Sequence, residues 1–98
     1  MLIRIVKMTF NPEAVEKFIQ LFNDKKNTIR NFPGCTHLEL WQDKNQTNIY
    51  FTYSHWTDED ALNHYRYSEF FKETWTLTKQ LFAAKAEAYS INQVVVEP

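Results

Sequence analysis

Ile49-Tyr-Phe-Thr-Tyr-Ser-His-Trp-Thr-Asp-Glu-Asp-Ala-Leu-Asn-His-Tyr-Arg-Tyr-Ser-Glu-Phe-Phe71 decides how the chain is read. From Ile49 to Trp56 the residues are β-branched or aromatic apart from Ser54 and His55, which predicts a strand. Thr57 and Asp58 then offer side-chain oxygens to cap a helix, and Asp58, Glu59 and Asp60 suit the positive end of its dipole. Ser68 repeats the capping signal. Behind it Phe71, Trp75, Thr78 and Phe82 follow one another at helical spacing. A strand thus runs into a helical corner, bent or broken near Arg66 to Ser68, that carries Trp56, His64, Tyr65 and Tyr67. The wall of any pocket is expected here.

Working outward, Cys35 to Gln42 reads as a strand with Leu38 and Leu40 on one face and His37, Glu39 and Trp41 on the other. Asp43-Lys-Asn-Gln-Thr47 is a polar hairpin connection without the usual glycine. Leu2 to Thr9 is a further strand, with Leu2, Arg4, Val6 and Met8 on one face and Ile3, Ile5, Lys7 and Thr9 on the other. Asn11 as cap, Pro12 at the first helical position and Glu13 behind it predict a helix start. That helix buries Val15, Phe18, Ile19 and Phe22 and ends before Phe32-Pro33-Gly34. Ala83 to Tyr89 is ambiguous between helix and turn, and Tyr89 to Val96 reads as the last strand. The order β-α-β-β-α-β predicts an α+β, ferredoxin-like sandwich with a four-stranded antiparallel sheet and helices on one face. The other sheet face needs cover, and a second copy of the chain is the simplest one, so a symmetric homodimer with facing sheets is expected.

The chain has 98 residues, one domain spanning 1–98, and no linker or repeat divides it. Eleven basic and twelve acidic residues are well mixed, at net charge −1, so no nucleic-acid footprint is present. A single glycine leaves little room for a phosphate-cradling loop, and no zinc-finger, P-loop or dinucleotide motif occurs. No histidine or carboxylate pair has metal-ligand spacing, so no metal is expected. Cys35 is the only cysteine, which excludes an internal disulfide and suits a reducing compartment. No apolar run approaches the ~20 residues of a membrane span and no signal-peptide pattern opens the chain, so the expected location is the cytoplasm. Aromatic residues make up 16%, enough for a ring-lined cavity, a dimer seam or only a bulky core.

Phe32-Pro-Gly-Cys35 before the second strand, Trp56-Thr-Asp-Glu-Asp-Ala-Leu62 after the third, and Tyr67-Ser-Glu-Phe-Phe71 opening the long helix occur in an order that resembles the antibiotic-biosynthesis monooxygenase family. The resemblance covers nearly the whole chain. It implies a dimeric α+β barrel with a small pocket in each subunit and, in its cofactor-free members, oxidation of a hydroquinone or polycyclic phenol by O2 without metal or flavin. Trp56 matches the family's pocket tryptophan. Many members carry a histidine one place beyond His64, where this chain has Tyr65, and one residue on a helix is about 100° of rotation. The haem-degrading branch uses an asparagine and a histidine that fall at about Val6 and Trp75. Valine offers no hydrogen bond and indole does not ligate iron, so haem degradation is not expected.

The candidate proton-transfer residues are therefore His64 and Tyr65, and the candidate lining for an aromatic substrate is Trp56, Tyr67, Phe71 and Trp75. Each has an ordinary alternative. Trp56, Phe71 and Trp75 also suit a core, His64 a surface position, and the tyrosines simple structural hydrogen bonds. Two functional classes remain: a cofactor-independent monooxygenase, and a non-catalytic small-molecule-binding or stress-response domain of the same fold.

Overall fold

The structure is a computed structural model that describes residues 1–98. Its strands β1 (Leu2–Thr9), β2 (Cys35–Gln42), β3 (Ile49–Trp56) and β4 (Glu87–Ile91) form one antiparallel sheet in the order β2-β3-β1-β4. The helices α1 (Val15–Arg30), α2 (Glu59–Arg66) and α3 (Glu69–Lys79) complete a ferredoxin-like α+β fold. No helix is long and apolar enough to cross a membrane.

Register assigns each strand residue to a face. Ile3 pairs with His55 and Ile91, Ile5 with Tyr53 and Tyr89, and Lys7 with Phe51 and Glu87. On the β2 side His37, Glu39 and Trp41 stand opposite His55, Tyr53 and Phe51. Directly paired residues point the same way, so these rows make up one face and Arg4, Val6, Met8, Leu38, Thr52, Ser54, Trp56 and Ala88 the other. The second face carries the helices. Its core has two parts, one of Met8, Phe10, Phe18 and Tyr50 and one of Cys35, Trp56 and Leu62.

Local chemistry explains the connections. Asp43 supplies what the glycine-free hairpin lacks, its Oδ2 accepting from the backbone of Asn45 (3.0 Å) and Gln46 (2.8 Å). Gly34 has φ +90°, and a Cβ there would lie 2.4 Å from the Cβ of Ala61, so the single glycine sits where the β2 start meets α2. Asp58 caps α2 through Ala61 N at 2.8 Å, and Ser68 caps α3 through Phe71 N at 3.1 Å.

Three expectations need correction. Asn11 makes no side-chain cap; its amide donates to the Phe82 carbonyl at 3.2 Å, and Pro12–Ala14 is a 3₁₀ turn ahead of α1. Phe82 lies beyond α3, in an isolated bridge to Phe10, because the helix ends at Lys79. β4 begins at Glu87 and ends at Ile91, earlier and shorter than Tyr89 to Val96. The cause is the partner: Ile91 already pairs with Ile3, so Asn92 faces Leu2, the first residue of β1, and the residues from Gln93 onward run past its end.

Candidate functional site

Between the helices and their sheet face lies a cavity of about 310 Å³. That is near the lower end for small-molecule sites, about 300–1,000 Å³, and suits a ligand of a few fused rings. Most of its lining is apolar. Met8 and Phe18 reach it from one part of the core, Trp56 and Leu62 from the other.

Trp56 ends β3, where alternation turns it toward the helices, and it is 1% exposed. Its indole Nε1 donates to Ser54 Oγ at 3.0 Å across two positions of the same strand, which fixes the ring plane. Tyr65, in the last turn of α2, stacks on that indole with centroids 4.9 Å apart. Phe71 meets Tyr65 edge-on at 5.0 Å, and Trp75, one turn further along α3, stacks on Phe71 at 5.9 Å. The break between α2 and α3 makes this series possible by letting the two helices present rings to one wall.

Trp56, Tyr65, Tyr67, Phe71 and Trp75 thus all reach one cavity, Tyr67 as an exposed residue at its edge. His64 is not among the lining residues. It is exposed, with its ring edge-on to Phe32 at 5.7 Å. The one-residue step on α2 turns Tyr65 inward and His64 outward.

Burial raises the pKa of the Tyr65 phenol well above the usual tyrosine value, with the nearby Cys35 adding to the shift. The group therefore keeps its proton at neutral pH and has an O–H to donate. Cys35 is buried and its thiol is also raised, chiefly by desolvation. It donates weakly to the His37 carbonyl at 3.6 Å, an environment for an inert cysteine.

Val6 and Trp75, the positions matched to the haem-degrading branch, both line the cavity, and the lining contains no imidazole. No group of three or more His, Cys, Asp or Glu is arranged to hold a metal ion. Sequence reading passed over Arg4 and Thr52. Arg4 had a usable signal, since it is the one charge in the inward row Leu2, Arg4, Val6, Met8. Thr52 had none, because threonine is ordinary in a strand.

Comparison with known proteins agrees with this architecture. A family description, antibiotic biosynthesis monooxygenase, matches residues 1–76. Among solved structures, one described as an antibiotic biosynthesis monooxygenase superposes with a TM-score of 0.90 at 21% identity, covering 97% of this chain and 100% of its own. A conserved protein from Methanosarcina mazei Go1 gives 0.89 at 24% identity, covering 96% of this chain and 94% of its own. A Pseudomonas aeruginosa protein gives 0.84 at 19% identity, with 96% and 94% covered. At such identities these likenesses establish the fold. No curated protein matches the sequence.

Proposed function

The chain belongs to the antibiotic biosynthesis monooxygenase family, and on that premise we propose that it oxidises a hydroquinone or polycyclic phenol with O2, using neither metal nor flavin. The observation that carries this reading is the aromatic cavity itself, walled by Trp56, Tyr65, Phe71 and Trp75. A substrate of that class supplies its own electrons once its hydroxyl has ionised. One oxygen atom becomes bonded to a ring carbon that gives up its hydrogen, the other leaves as water, and the phenol becomes a quinone. The protein's part is to bind the flat rings, orient the hydroxyl and exclude bulk water. Tyr65, protonated and beside Trp56, is the proposed hydrogen-bond donor to the substrate oxygen.

The lining contains no carboxylate and no imidazole. The substrate proton is therefore passed to water at the cavity opening, and the cationic Arg4 and Arg66 in the lining favour the phenolate left behind. The missing carboxylate and imidazole also favour the second reading, a non-catalytic domain that binds such a molecule without oxidising it.

Oxygen uptake separates the two. Purified protein is mixed with hydroquinones, naphthohydroquinones and anthrone-type phenols without added metal or flavin, against each compound's spontaneous oxidation. Saturable uptake above that rate, with product mass showing an inserted oxygen, supports the monooxygenase. Binding without uptake across the panel assigns the domain to ligand binding. Tyr65→Phe is expected to lower the rate about 10–100-fold, in the range of one lost hydrogen bond to a charged oxygen, whereas His64→Ala is expected to leave it unchanged.

A symmetric dimer through the open sheet face belongs to the same proposal. That face exposes Trp41 (40%), Tyr89 (51%) and Ile91 (41%) beside the half-buried Ile5, Phe51 and Tyr53, a large apolar area for a single chain. The single cysteine, free and buried, suits a reducing compartment, and the cytoplasm is the proposed location.

A further inference from the structure

The cavity carries positive charge that the fold leaves unanswered. Arg4 projects from β1 into the helix-covered layer, between Ser54 on β3 and Ser90 on β4, and its Nη1 donates to Ser90 Oγ at 2.9 Å. Arg66, the last residue of α2, lines the same cavity from the helix side, and Lys25 of α1 lines it as well. No aspartate or glutamate does. The strand carboxylates Glu39 and Glu87 belong to the opposite sheet face, where they pair with His37 and Lys7. Lys25 pairs with Asp24 at 3.5 Å, but neither Arg4 nor Arg66 has a carboxylate within ion-pair distance.

Arg4 is partly desolvated, and the guanidinium of Arg66, exposed at the cavity edge, repels it. The pKa of Arg4 is lowered by burial first and by Arg66 second, so its surroundings disfavour the charge of that one guanidinium. Arrival of an anion reverses both effects. The planar fork of arginine matches a carboxylate in two-point geometry, and the surrounding apolar walls strengthen the contact. Thr52, also in the lining, makes no side-chain hydrogen bond within the protein, and no buried polar side-chain atom is unsatisfied. Its hydroxyl is therefore free for a ligand.

We propose that the cavity selects an aromatic carboxylate, with its rings against Trp56, Tyr65, Phe71 and Trp75 and its carboxylate held by Arg4 and Arg66. The inference rests on the reading of the cavity as a ligand site and names the class of molecule that the site takes. A substrate of this class is a phenol or hydroquinone that carries an acid group.

Isothermal calorimetry with a matched pair of probes tests the proposal: 2-naphthoate and its neutral counterpart 2-naphthamide, at low salt. The carboxylate is expected to bind at least about tenfold more tightly, and the preference should shrink as salt screens the contact. Arg4→Gln and Arg66→Gln should each lower carboxylate affinity more than amide affinity and so erode the preference, and Arg66→Lys should retain part of it. Thermal melts of the variants check folding, and Arg66, being exposed, is the substitution least able to disturb it. Equal affinity for both probes overturns anion selection and leaves the aromatic site standing. Binding of the amide alone does the same. Binding of neither overturns the ligand-site reading and this inference with it.

Discussion

Trp56 is at once the floor of the candidate site and a pillar of the core: 1% exposed, bonded to Ser54, packed with Cys35 and Leu62, and facing the cavity. Trp56→Ala is therefore expected to cost about 3–5 kcal/mol. At roughly 4–8 °C per kcal/mol for a domain of this size, the melting temperature should fall by more than about 12 °C in a calorimetric scan. Trp56→Phe, which retains a ring, should lose much less. Tyr65 gives a pH signature. An unfolded tyrosine ionises near pH 10, whereas burial holds the Tyr65 proton to higher pH. Between those two values the folded state binds the extra proton, so stability must fall as pH rises above about 10. Urea titrations at pH 8 to 11 should show this slope in the parent protein and a shallower one in Tyr65→Phe. Equal slopes would remove Tyr65 from the buried wall.

At the scale of elements, the corner between β3 and α3 depends on two caps and one glycine. Asp58→Ala and Ser68→Ala should each cost about 1 kcal/mol in urea unfolding, the usual worth of a side-chain cap. Ser68 also donates to the Tyr65 carbonyl at 2.6 Å, so its loss loosens the α2–α3 break and should weaken ligand binding as well. Gly34→Ala should cost more, about 2–4 kcal/mol, because it adds a side chain at φ +90° and drives it into Ala61. Pairing it with Ala61→Gly tests the cause: the clash is relieved, the backbone penalty stays, and a partial recovery is expected. Full recovery would mean that φ is not strained.

For the whole molecule, the open sheet face governs assembly. His55 lies 4.9 Å from the ring of His37, is hydrogen-bonded to Tyr53 Oη at 2.7 Å, and has Glu39 nearby; β1 contributes only apolar Ile3 to this row. Its pKa is lowered, by desolvation first and by His37 second, with Glu39 opposing. The neutral ring is thus the form that the folded state favours, and stability from this group is lost as pH falls through its lowered pKa. In the proposed dimer that face is buried further, so sedimentation equilibrium should show weaker association as pH drops below about 6.5. Tyr53→Asp should give a folded monomer at neutral pH. A monomeric parent protein at all pH values would overturn the facing-sheet assembly.

The sequence by itself determined the strand β1, β2 and β3 limits, a broken corner near Arg66 to Ser68 and the sheet faces, because alternation, caps and helical spacing are local properties of neighbouring residues. It also indicated that Trp56 and the rings after it share a wall, since strand and helix periods give each side chain a direction. Only the tertiary structure decided what those directions meet. It turned Tyr65 inward and His64 outward, ended β4 where β1 runs out of partners, and sent the Asn11 side chain to Phe82 instead of its own helix. The unanswered charge of Arg4 and Arg66 belongs to the same class of fact, because they lie 62 positions apart in the chain and share a cavity only once the sheet and α2 have packed.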